Sequence, residues 1–185
     1  MDGPQPWDAV LDFWFGPAPL RRPEWFKADP AFDAAIRGQF MPLYERAAAG
    51  FLPDWEDKAE GALALCLLLD QFPRNMFRGS PKAFETDPRA RAVARKAVAA
   101  GLDRKVDAMR RLFFYLPFEH SEDMADQEEG VRLMATLYDA EALRWAVAHR
   151  DIIARFGRFP HRNAILRRES TAEELEFLKQ PGSSF

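Results

Sequence analysis

The residues best suited to chemistry stand together late in the chain, in Arg155-Phe156-Gly157-Arg158-Phe159-Pro160-His161-Arg162-Asn163. Three arginines, a histidine and an asparagine alternate there with two phenylalanines, a glycine and a proline. Gly157 stops a helix by taking positive φ, and Pro160 prevents the helix from restarting at once. The guanidinium groups are thus held on a short, stiff, aromatic-anchored segment. That arrangement suits planar recognition of a carboxylate or phosphate.

Two further segments put polar groups where apolar packing is expected. Asp70, Gln71, Arg74 and Asn75 follow the most hydrophobic run of the chain, where charges must line a cleft or pair with one another. Pro117-Phe118-Glu119-His120-Ser121-Glu122-Asp123 brackets a histidine with carboxylates that favour its imidazolium form. Charge is polarised between segments. Residues 119–131 hold six acids and no Lys or Arg, whereas residues 150–169 hold six arginines against Asp151 and Glu169. The two blocks either pair across a helix interface or leave excess guanidinium for an anionic ligand. A single polar cleft would be built from Asp70, Gln71, Arg74, Asn75, Glu119, His120, Glu122, Arg155, Arg158, His161, Arg162 and Asn163. Within it His120, Glu119 and His161 are the candidates for acid/base work. His149 shares a helix face with Trp145, Ile152, Ile153 and Phe156, so it points inward as a core histidine. His120, Glu122, His149 and His161 have the atoms of metal ligands without any recognised ligand spacing, so no metal is expected. No Gly-rich phosphate loop, G-x-S-x-G or CxxC occurs, and no cofactor is expected.

The elements that position these residues read as helices throughout. Trp7, Val10, Leu11, Trp14 and Phe15 have helical spacing with Gly16 as a stop. Asp29-Pro30 opens a helix that Gly50 closes and that Pro42 should kink or split. Asp54 and Asp57 can cap the next, all-round apolar helix, which is expected to be central. Asp87-Pro88 starts another that Gly101 ends. Asp103 begins a helix limited by Pro117, and Ser121 looks like the following N-cap. Glu141 to Phe156 is the last long helix, and Ser170-Thr171-Ala172-Glu173-Glu174 offers capping boxes for a short terminal one. No alternating strand pattern is present. The expected fold is all-α, an array of antiparallel helices on short loops.

With 185 residues, 48% of them hydrophobic, the chain suits one domain, 1–185, with a substantial core. A net charge of -3 gives no support for nucleic-acid binding. The lone Cys66 sits in an apolar run and is consistent with a reducing cytoplasm. The opening residues lack the features of a signal peptide, and Ala62 to Leu69 is too short to span a bilayer.

Four stretches, in order and nearly end to end, resemble bacterial proteins grouped as domain of unknown function 924. They are Val10-Leu11-Asp12-Phe13-Trp14-Phe15-Gly16, Leu68-Leu69-Asp70-Gln71-Phe72-Pro73-Arg74-Asn75, Tyr115-Leu116-Pro117-Phe118-Glu119-His120-Ser121-Glu122, and the Arg155 to Asn163 segment followed by Ser170-Thr171. The resemblance implies an all-α fold similar to tetratricopeptide-repeat proteins and brings no catalytic residue with it. Where the family tends to have a glycine after Ala164-Ile165-Leu166, this chain has Arg167. Two functions fit the residues. One is a module binding an anionic small molecule or an acidic peptide, in the manner of helical grooves. The other is a hydrolase-like enzyme using His120 or His161 as acid/base, with arginines stabilising negative charge.

Overall fold

The computed structural model describes residues 3–17 and 21–184, and these form helices with no strand among them. Chain contacts group into two compact units. The first comprises residues up to 78 and 82–117, and the second residues 79–81 and from 118 onward.

The first unit contains α1 (Asp8–Phe15), α2 (Pro30–Ala48), α3 (Ala59–Cys66), α4 (Phe72–Met76), α5 (Asp87–Ala99) and nearly all of α6 (Ala108–Glu119). Its centre is aromatic. Trp14 is fully buried, lies parallel to Trp25 at 5.9 Å, and meets Phe113 edge-on at 5.6 Å. Phe32 and Phe72 close the remaining sides at 5.8 and 5.5 Å. Offset and T-shaped pairs of this kind add to the gain from burial alone.

The all-round apolar helix is the central one: every residue of α3 except Glu60 is buried. Between α3 and α4, Leu67–Gln71 form a turn of π-helix, and Phe72 N–H bonds to Leu67 C=O. Pro73 gives the reason. It lacks an N–H for Leu69 C=O, and its ring would strike that carbonyl in a regular helix. Widening the turn relieves the clash, and the Thr86 hydroxyl donates to the orphaned Leu69 C=O at 2.6 Å. Upstream, a Cβ on buried Gly61 would stand 2.5 Å from Trp55 O and 3.0 Å from Trp55 Cα. Both obstacles are backbone and cannot rotate away. Gly61→Ala should therefore destabilise the protein by about 1–3 kcal/mol, seen as a lower urea midpoint at unchanged slope. A midpoint within error of the parent would show that the Trp55 turn yields freely.

In the second unit, α7 (Met124–Ala135) packs on α8 (Ala140–Phe156), and α9 (Ala172–Phe177) follows. Ile152, Ile153 and Phe159 are its apolar centre, with Met124, Phe156 and Phe177 packed against them. Gly157 ends α8 at φ 68°, as its position predicts. Thr171 and Glu174 form the expected capping box.

Several expected boundaries move. Pro42 neither splits nor ends α2, because it lies on the solvent side, where the exposed Gly38 can give its carbonyl to water. Asp54 and Asp57 fall in a 3-10 turn, Pro53–Asp57, and Lys58 precedes α3 instead. Asp87 is the first residue of α5 rather than its cap, because its carboxylate is taken by Arg74. Asp103 opens only a 3-10 turn; its carboxylate accepts from Tyr115 Oη at 2.6 Å, and Asp107 caps α6 in its place. Pro117 lies inside α6, which runs on to Glu119. Asp123, not Ser121, caps α7, accepting from Ala125 N and Asp126 N, while the Ser121 hydroxyl donates to Asp126 at 2.7 Å. Trp25 docks on the core, but neighbouring Phe26 is exposed. At Arg167 the backbone keeps φ 57°, so the left-handed turn persists without a glycine.

Candidate functional site

The twelve residues picked out by type fall in both units. Asp70, Gln71, Arg74 and Asn75 belong to the first, and the π turn faces them inward: Asp70 is 1% exposed, Gln71 and Asn75 6%. There they satisfy one another. Arg74 forks onto Asp87 at 2.9 and 3.0 Å and reaches Asp70 at 3.2 Å. Gln71 Nε2 donates to Asp70 at 2.5 Å, and Asn75 Nδ2 donates to Asp33 at 2.7 Å. Burial works against the Arg74 charge, and Asp70 and Asp87 outweigh it, raising its pKa. This is the geometry of an internal network.

The other eight lie in the second unit, where two kinds of environment separate them. Arg155 pairs with Glu173 at 2.8 Å on the surface. Arg158 forks onto buried Glu174 at 2.7 and 2.8 Å and donates to Glu169 C=O. Asn163 Nδ2 and Thr171 N–H also donate to Glu174. Arg158, before the other donors, holds the Glu174 carboxyl down at about 2. Glu122 accepts a fork from Arg168 at 2.7 and 2.9 Å and the Phe159 N–H at 2.8 Å. Burial opposes the Glu122 charge, but Arg168, the Phe159 N–H and Arg162 keep its pKa below the usual carboxylate range. The polarised acid and arginine blocks thus meet in the Arg168–Glu122 fork, while Arg155 and Arg158 pair with Glu173 and Glu174 outside the acidic block.

Around Phe159 the arrangement differs. All three histidines of the chain collect there, from positions 120, 149 and 161. The ring of His149 lies 5.6 Å from Phe159, that of His161 5.6 Å from the same ring, and that of His120 6.2 Å from His149. The Arg162 guanidinium covers the Phe159 ring at 4.5 Å, and Arg162 is itself only 6% exposed. The turn Pro160–Arg162 puts His161 and Arg162 beside Phe159, because Gly157 and Pro160 fold the chain back after α8. His149 Nδ1 lies 2.8 Å from Trp145 C=O and 3.1 Å from Glu119 Oε1. Two acceptors on Nδ1 fix the proton there and leave the lone pair on Nε2. Burial pushes the His149 pKa down to about 3, with His120, Arg162 and His161 adding to the shift against the Trp145 carbonyl. The Glu119 carboxylate would favour a protonated ring, but a neutral Nδ1–H satisfies it equally as a donor, and burial of both groups decides the direction. The neighbourhood is therefore dry, with a neutral imidazole inside it.

The carboxylates flanking His120 in sequence reach elsewhere: Glu119 to His149, and Glu122 to Arg168 and Phe159 N–H. Sequence reasoning placed His149 inside but outside the candidate set, and it did not single out Gln127, whose amide donates to Glu119 C=O and Ser121 C=O, or Gly130, which packs closely on Phe118. A glycine within a helical pattern was the available signal, since it marks close approach. Among the described residues no group of three or more His, Cys, Asp or Glu is placed to hold a metal ion, and no helix is long and apolar enough to cross a membrane.

A family model described as "bacterial protein of unknown function (DUF924)" matches residues 10–182. The structure is similar to that of a protein of unknown function from Agrobacterium tumefaciens, with 46% identity and a TM-score of 0.88 over 94% of this chain and 96% of that one. No curated protein matches.

Proposed function

The chain belongs to the DUF924 family of bacterial proteins of unknown function, and within that family we propose that it binds a small anionic molecule at the histidine–arginine cluster of its second unit. One observation carries the proposal: His149, His161 and a buried arginine converge on the Phe159 ring, and His120 packs on His149. An arginine stacked by its face on an aromatic ring keeps its N–H donors in the guanidinium plane, directed away from that ring. Imidazoles beside it add donors or acceptors as protonation requires. Burial favours a small ligand over an acidic peptide, which would need the cationic groups on an open surface. We treat the chain as one working domain of a tetratricopeptide-like type, in the cytoplasm. A family match running through both units and a buried Cys66 thiol agree with this.

The enzyme alternative would use His120 or His161 as acid/base. A His149 pKa of about 3 makes that residue a weak base near neutrality, so its part is to donate or accept hydrogen bonds. Calorimetric titration of the full chain with succinate, lactate and inorganic phosphate tests the proposal. At least one should bind, and Arg162→Met should weaken it about tenfold or more, while Arg155→Met leaves it unchanged. Absence of binding by all three and by malate and propionate, or equal affinity in folded Arg162→Met, would overturn it.

A further inference from the structure

Gln127 lies on α7 and is 1% exposed. Its Nε2 donates to Glu119 C=O at 2.6 Å and to Ser121 C=O at 2.7 Å. Both amide hydrogens are used, and the opposite amide orientation would set Oε1 against two carbonyl oxygens. Oε1 is thus fixed as an acceptor. It is buried and receives no hydrogen bond from the protein. Gly130, one turn along α7, makes the placement possible: a Cβ there would stand 3.3 Å from Phe118 Cβ and 3.4 Å from Glu119 N. The amide is therefore clamped against the same residue whose carboxylate holds His149. A buried acceptor with no donor is rare in folded proteins, and a bound molecule or water that supplies the donor accounts for it.

Resting on the anion-binding proposal, we infer that Gln127 is a specificity residue of that site and that the ligand is a hydroxylated anion. Its acid group is held by Arg162 and the histidines, and its hydroxyl donates to Gln127 Oε1. An ammonium could also donate, but Arg162, His120 and His161 already act against a positive charge on His149, so the cluster opposes a further cation. Sites built around a buried hydrogen-bonding group discriminate strongly against analogues that leave it unsatisfied.

Pairs of anions differing by one hydroxyl test this on the unaltered full chain: malate against succinate, and lactate against propionate. In at least one pair the hydroxylated member should bind about tenfold or more tightly. Gln127→Met should abolish that preference by weakening the hydroxylated member alone. If this variant fails to fold, the affinity ratio on the parent chain still decides. Equal affinities within both pairs overturn the role of Gln127 but leave the anion site standing, as does a preference that survives in folded Gln127→Met. Failure of all four anions and of inorganic phosphate to bind overturns both proposals.

Discussion

Replacing Arg74 by methionine should lower the stability of the protein by about 3–5 kcal/mol, the loss typical of breaking a buried ion pair from one side. Asp70 and Asp87 are 1% and 4% exposed, and the substitution leaves both carboxylates buried without their guanidinium. About a fifth of the Arg74 side chain meets solvent, which places the expectation in the lower half of that range. The Asp70 C=O would also lose the donor that Arg74 supplies at 2.5 Å. Methionine keeps the stem and the helix propensity, so the effect isolates the charge. Urea unfolding measures it, and a double-mutant cycle with Asp87→Leu shows its origin: the double variant should be more stable than Arg74→Met alone. Stability within about 0.5 kcal/mol of the parent would mean that the Arg74 charge is not committed to the fold. Arg74 would then regain its place among ligand-binding candidates.

How far such roles could be read beforehand differed from residue to residue. The helices were legible because their signals are local: a left-handed glycine at 157, a capping box at Thr171 and Glu174, and an all-round apolar run from Ala59. The boundary errors share a cause. Asp87 and Ser121 have the right type for a cap, but each side chain is claimed by a partner, Arg74 for the one and Asp126 for the other. Tertiary pairing overrides a preference worth about 1 kcal/mol. The site was legible as composition rather than geometry. Type and spacing put His161 and Arg162 forward, but nothing in the sequence tells Arg162, stacked on Phe159, from Arg158, forked onto Glu174. That difference depends on where Glu174, 16 residues from Arg158, falls in space. His149 was read as a satisfied core histidine, and burial agrees; its contacts with Glu119, His120 and Phe159 are what make it part of the cluster.

Acidification should act on the protein through that residue. The folded pKa of His149 is about 3, against about 6.5 for an unfolded histidine. The unfolded chain therefore binds more protons between these values, and stability falls as pH falls. The contribution of His149 is fully present above about pH 6.5 and is lost progressively toward pH 3. At about 1.4 kcal/mol per pH unit, the loss amounts to about 2 kcal/mol at pH 5 and about 4 kcal/mol at pH 3. The groups facing it set the sense of the effect. Glu119 from α6 and the Trp145 carbonyl favour a proton on the ring, while burial, the largest influence, and His120, Arg162 and His161 oppose it. His149→Gln keeps an N–H donor for the Trp145 carbonyl and Glu119 but cannot titrate. Urea unfolding at pH 7, 6 and 5 should show the parent losing stability across the series and His149→Gln losing about 2 kcal/mol less of it. Hydrogen exchange at α7 and α8 amides would localise the loss to the second unit. Equal pH slopes in parent and variant would show that His149 takes up its proton in the fold as readily as in the unfolded chain. The dry surroundings and the neutral imidazole inferred for the anion site would then have to be given up.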